Sequence, residues 1–111
     1  MESKRQLQVA RLLQKELGIY FQQHGKTHYQ AFITVTSTKV SPDLSYSKVY
    51  VSIFMAEDRE ATLDLIRNNL PILRKNIGYQ CGSQLRIVPN FQFFLDESLD
   101  YVEHIDSLLK Q

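Results

Sequence analysis

Between Asp58 and Gly78 an apolar stripe runs straight through a proline. Leu63, Ile66, Leu70, Leu73 and Ile77 recur at spacings of three, four, three and four, the repeat of one buried helical side. Pro71 stands inside that stripe. It has no amide hydrogen for the carbonyl of Arg67, and its ring crowds the preceding turn. The stripe argues for continuity and the proline for a break. Two helices that share one buried side and meet at a kink near Asn69-Leu70-Pro71 satisfy both. Asp58 is placed to cap the first of them.

The segments before this pair supply the layer it needs. Ile33 and Val35 alternate with Phe32, Thr34, Thr36 and Thr38, and Val49, Val51 and Ile53 alternate with Lys48, Tyr50, Ser52 and Phe54. Period two with β-branched residues predicts two strands. Ser41-Pro42-Asp43 between them carries turn chemistry, because proline sets φ and the Ser and Asp side chains can bond nearby backbone N–H groups. The strands are therefore expected to be adjacent and antiparallel. Ahead of them, Leu7, Ala10, Leu13, Leu17 and Tyr20, broadened by Val9 and Leu12, predict an amphipathic helix. Ser3 can cap its start and Gly25 is read as its end. Lys4, Gln8, Arg11 and Lys15 form a basic ridge on its other side.

After the kinked pair, Gly78 and Gly82 loosen the chain, and a strand is expected from Leu85 to Leu95. Phe91, Phe93 and Leu95 would share one side, with Pro89 at the start or at an edge irregularity. Asp96-Glu97-Ser98 offers capping chemistry for a last helix carrying Leu99, Val102, Ile105 and Leu108. The expected order is α-β-β-α-kink-α-β plus a C-terminal helix from Leu99 to Leu109. A strand, a helical crossover and a further strand imply a right-handed connection. Three strands with helices on one face make a two-layer α+β domain, and 111 residues suit a single domain spanning 1–111.

Composition excludes several classes. Hydrophobic residues make up 43% and charged residues 23%, which is ordinary for a globular chain. One cysteine, Cys81, rules out an internal disulfide framework and fits a reducing cytoplasm. No apolar run approaches the ~20 residues of a membrane span, and the N-terminus lacks the apolar core of a signal peptide. The formal net charge of +1 gives no global field for nucleic acid, so any footprint must come from local clusters.

Catalytic chemistry finds little support. His24 and His28 have a metal-ligand spacing, but Gly25 lies between them and no third ligand is evident, so they read as solvated loop histidines. His104 falls on the polar side of the last helix. No nucleophile motif surrounds Cys81, and there is no phosphate loop or Gly-x-Gly-x-x-Gly. Neither an enzyme activity nor a cofactor, metal or small-molecule substrate is expected. Cations are the remaining candidates. Arg67 and Arg74 lie seven apart on one side of the kinked pair with Lys75 beside Arg74, Lys39 and Lys48 flank the hairpin, and Arg86 enters the last strand. Lys4, Arg11 and Lys15 make a second face. Gathered cations bind phosphates by releasing counterions. Tyr46, Tyr50 and Phe54 could stack on bases, or could line the outer sheet face. Because Arg67 and Arg74 lie off the apolar stripe, replacing both with alanine is expected to leave folding intact.

Two runs carry a family resemblance. "VSPDLSYSKVYVS" (Val40 to Ser52) and "LRIVPNFQFFLDESLDYVEHIDSLL" (Leu85 to Leu109) resemble the signatures of the ribosome-binding factor A family, and "RQLQVARLLQKEL" in the first helix is similar too. The resemblance implies a KH-like domain of the second type. It further implies a bacterial, cytoplasmic ribosome assembly factor, acting as a monomer, that binds 16S rRNA precursor and the immature small ribosomal subunit. Such a factor assists late maturation, rRNA end processing and growth in the cold. On this reading the RNA-binding residues are Lys39, Lys48, Arg67, Arg74, Lys75 and Arg86, with Lys4, Arg11 and Lys15 as the second face. Two departures stand out. Asn69-Leu70-Pro71 replaces the family's Ala-x-Gly kink, and a short insertion near Cys81-Gly82 lengthens the way into the last strand. A long basic tail is also not present, so affinity is expected to rest on the folded surface. The alternative is a small protein–protein interaction module without RNA binding, motivated by Tyr46, Tyr50 and Phe54 and the weak net charge.

Overall fold

A computed structural model describes residues 2–96. The first helix, α1 (Lys4–His24), begins at a reciprocal cap: the Ser3 hydroxyl accepts from the Gln6 amide and the Gln6 side chain accepts from the Ser3 amide. Gln6 also donates to the carbonyl of Val40 at 2.9 Å, so a buried polar side chain ties the helix start to the sheet. The buried side of α1 is Gln6, Val9, Ala10, Leu13, Leu17, Tyr20 and Phe21, while Leu7 is 43% exposed. The stripe is thus rotated from the one spacing alone suggests, with Gln6 filling the place given to Leu7.

Gly25 does not end the helix by a left-handed turn. Its φ is −56°, and the chain continues through a wide turn over Gly25–Tyr29 that closes at Gln30, φ 54°. Glycine is required there for space, since a Cβ would sit 2.8 Å from the carbonyl oxygen of Ala31.

Strands β1 (Phe32–Val40) and β2 (Tyr46–Phe54) pair antiparallel, with Ile33 opposite Ile53 and Lys39 opposite Lys48. A bulge between Val35 and Ser37 shifts the pairing by one residue. Ile33 and Val35 face the core before it, Thr38 and Val40 after it. This is why Thr38, expected on the outer side with Thr34 and Thr36, is buried. In the connecting turn the Asp43 carboxylate accepts from the Ser41 hydroxyl (2.7 Å), the Ser45 amide (3.1 Å) and the Ser45 hydroxyl (2.8 Å). The Tyr46 amide returns to the Ser41 hydroxyl at 3.1 Å.

Helix α2 (Arg59–Asn68) is capped by Asp58, whose side chain accepts from the Ala61 amide. Helix α3 (Leu70–Cys81) follows directly, with Pro71 in its first turn, where a missing N–H costs nothing. Leu63, Ile66, Leu73 and Ile77 are buried as one side, as the stripe requires. Asn69 forms the joint at φ −98°, ψ 10°. Strand β3 (Asn90–Leu95) runs parallel to β2, giving a sheet ordered β1-β2-β3. It is shorter than the Leu85–Leu95 expected. Pro89 has no amide for a ladder, and the carbonyls of Val88 and Pro89 are taken by the Arg74 guanidinium instead of a strand. Gly82, at φ 54°, turns the chain out of α3. Helices and sheet share one core in which Leu13, Leu17, Ile66, Leu73 and Ile77 meet Val49, Val51, Ile53 and Phe93. The architecture is α+β, a three-stranded sheet with helices on its core side. The expected helix from Leu99 to Leu109, with His104, lies outside the described residues.

Candidate nucleic-acid interface

The kinked pair is held from below by a hydroxyl pair. The Asn69 amide donates to Tyr29 at 3.0 Å and lies 3.5 Å from the Tyr20 oxygen, and the two tyrosine oxygens are 2.9 Å apart. Tyr20 comes from α1 and Tyr29 from the turn after it, so the joint is fixed to two other elements. Burial, then the bond to Tyr29, holds the Tyr20 hydroxyl well above its ordinary pKa, so it stays neutral. Sequence reasoning missed this device; the only cue was an asparagine before the proline.

On the other side of the joint, Arg67, Leu70, Phe91, Gln92, Phe93 and Phe94 line a groove of about 380 Å³ along the outer edge of β3. Arg67 donates to the carbonyl of Phe93 at 2.8 Å and faces Asp64 at 3.7 Å. Arg74 donates to Val88 at 2.6 Å and to Pro89 at 3.4 Å. Both guanidiniums therefore satisfy backbone carbonyls of β3 and its approach. They lie off the apolar stripe, as expected, yet they are tied into the fold, which the expectation of intact folding after their removal did not foresee. Lys75 is exposed on α3.

The outer sheet face carries the second cluster. Lys39 and Lys48 are direct cross-strand partners, and Lys48 pairs with Gln92 on the other side. Gln92 also lines the groove with Arg67, so it links the lysine pair on the sheet to that groove. Tyr50 stacks on Phe94 with centroids 5.5 Å apart, and Tyr46 donates to the Gln92 side chain. These aromatics line the outer face and do not pack under the described helices.

The other cations lie elsewhere. Arg86 shares a cavity of about 300 Å³ with Arg5, Asp43, Leu44 and Ile87. Arg5, absent from the sequence reading, reaches the carbonyl of Gln84 at 3.2 Å. Three hydrogen bonds from Ser41 and Ser45 hold the Asp43 carboxyl down at about 2. Arg11 and Lys15 line a groove beside Val35, at the opposite edge of the sheet from Arg67, and Lys4 is exposed in the first turn of α1. Of the two histidines read as solvated loop residues, His28 is exposed in the turn, whereas His24 ends α1 half-buried against Tyr20, with the two rings 5.0 Å apart. Burial, then the Glu16 carboxylate, raises the Cys81 thiol, which suits packing and not attack. No group of three or more potential metal ligands occurs among the described residues, and no helix among them is long and apolar enough to cross a membrane.

The ribosome-binding factor A family model matches residues 5–109. The chain belongs to the ribosome-binding factor A family. Ribosome-binding factor A of Cytophaga hutchinsonii is 40% identical over 112 aligned positions, covering 100% of this chain and 84% of that protein. The Brevibacillus brevis protein of the same name is 39% identical, covering 100% and 91%. The crystal structure of ribosome-binding factor A from Thermus thermophilus shares the fold, with TM-score 0.68 at 20% identity over 81% of this chain and 94% of that one. So does the Thermus thermophilus ribosome-binding factor A homology model fitted into a cryo-EM map of a 30S-RbfA complex, with TM-score 0.65 at 20% identity over 87% and 97%.

Proposed function

We propose that this chain docks on immature small ribosomal subunits by holding the phosphate backbone of precursor 16S rRNA against the surface that runs from Lys39 and Lys48 across Gln92 to Arg67. The observation that carries this reading is the Lys39–Lys48 pair. Like charges directly opposite on a sheet are destabilising, and an anion between them removes that cost. Arg74 adds its charge from its anchored position and Lys75 is exposed beside it on α3, whereas Arg86, in the cavity with Arg5 and Asp43, lies apart, and Lys4, Arg11 and Lys15 make a separate face. Family membership and the names of the relatives support the ribosomal partner, as does the 30S-RbfA complex of the Thermus factor of the same fold.

Phosphate contacts position a protein without reading bases. The chain would act by occupancy, favouring one RNA conformation until the mature fold displaces it. In this role it supports late maturation, processing of the RNA ends and growth in the cold. It works in the cytoplasm, as a monomer and as one KH-like domain of the second type, with Asn69-Leu70-Pro71 supplying the kink. The role calls for no catalytic residue, cofactor or small-molecule substrate.

The test is sedimentation of the tagged full chain with immature small subunits at low and high salt. Co-sedimentation should weaken steeply with salt, and Lys39→Glu with Lys48→Glu should abolish it at the lower salt. Association indifferent to salt would favour a protein–protein module gripping through Tyr46, Tyr50 and Phe54. Undiminished association of the double variant would remove the proposed surface.

A further inference from the structure

Strand β1 forms one edge of the sheet, and no described residue pairs with its outer side. An unpaired edge offers a row of backbone donors and acceptors to another chain, and proteins normally blunt or cover it. Here the edge lies beside a groove against α1. Phe21, Ile33 and Val35 floor the groove, and Phe32 stands half out of it. Its rim is cationic: Arg11 and Lys15 come from α1, and Lys26 sits 4.5 Å over the Phe32 ring. Among the described residues, no acidic side chain lines either stretch of the groove.

Gly18 lies at the centre, lining both stretches. Glycine inside a helix lowers its stability, and here the packing gives no reason for it, because a Cβ at Gly18 would meet nothing within 4 Å. The conformation is helical, so positive φ gives no reason either. What the missing side chain provides is open space over the β1 edge.

We propose that the groove between α1 and the outer edge of β1 receives an extended, acidic peptide segment of a protein partner, which adds as a further strand beside β1 while its carboxylates meet Arg11, Lys15 and Lys26. The unpaired backbone edge supplies main-chain hydrogen bonds, and the apolar floor accepts alternate side chains. An RNA strand would meet the cations through its phosphates but has no repeating amide backbone with which to continue the β1 ladder. A second copy of this chain would bring a second set of the same three cations against the first.

The probe is a synthetic peptide alternating valine and glutamate, matched in length to the nine residues of β1. It is titrated to about 1 mM, the weak end of specific affinity, into the isotope-labelled full chain. Saturable amide shifts along Phe32–Val40 and slowed hydrogen exchange at that edge are expected, with no response to the lysine-for-glutamate peptide. Gly18→Phe should weaken binding by at least about tenfold through steric blockade. Gly18→Ala should raise the melting temperature and still weaken the peptide, a combination that a purely structural glycine would not give. Several results would overturn the proposal. These are no saturable response at β1, equal binding by Gly18→Phe, dimerisation without peptide, a single-stranded RNA occupying the groove in the peptide's place, or peptide binding only after removal of residues 97–111.

Discussion

Replacing Arg67 and Arg74 with alanine should loosen β3 before it changes any contact with RNA. Arg67 gives one short bond to Phe93, and its side chain is 44% exposed, so water replaces part of what is lost. About 1 kcal/mol is a fair charge-assisted figure for such a site. Arg74 is half-buried and gives one short and one long bond to Val88 and Pro89, so its removal should cost about 2 kcal/mol. The two serve different carbonyls on separate helices, so the effects should nearly add, to about 3 kcal/mol. At roughly 4–8 °C per kcal/mol for a domain of this size, the double variant should melt on the order of 12–24 °C lower. Arg74→Lys should recover little of this, because an ammonium keeps the charge without the planar fork. The assay is thermal unfolding followed by circular dichroism, with sedimentation done well below the lowered transition. If the double variant melts within about 3 °C of the parent yet releases the small subunit, the guanidiniums are free cations and the structural reasoning fails.

Gly25→Ala should destabilise by about 1–3 kcal/mol, the usual cost of overpacking, because its Cβ would press on the Ala31 carbonyl at 2.8 Å; chemical denaturation measures it, and a neutral or stabilising result would show that the turn can yield. The Asp43 turn should withstand mild acid. With a folded pKa lowered to about 2, its contribution is full above the ordinary carboxylate value and is lost progressively as pH falls from there through about 2. Amide exchange at Ser45, followed from about pH 5 down to about pH 2, should therefore lose its protection gradually and keep part of it until the lowest values; complete loss by about pH 4, the ordinary carboxylate range, would mean the three hydrogen bonds are not maintained in solution.

Some of this protein was legible from residue order because short-range rules decide it. The apolar repeat through Leu63 and Ile77 with Pro71 inside it dictates two helices and a joint, and Asp58 and Ser3 cap as their types require. The alternation around Ser41-Pro42-Asp43 dictates two antiparallel strands. Other features depend on what arrives from far along the chain. The bulge at Thr36 moves Thr38 into the core, Gln6 takes a core position because the Val40 carbonyl meets it, and β3 starts only at Asn90 because Arg74 claims the carbonyls before it. The candidate site divides the same way. Residue types named its cations, but only strand register could set Lys39 beside Lys48, and only tertiary packing could send Arg11 and Lys15 to the other edge of the sheet. Local propensity acts over one or two turns of chain, whereas the placing of a charge on a surface follows from which faces the core consumes.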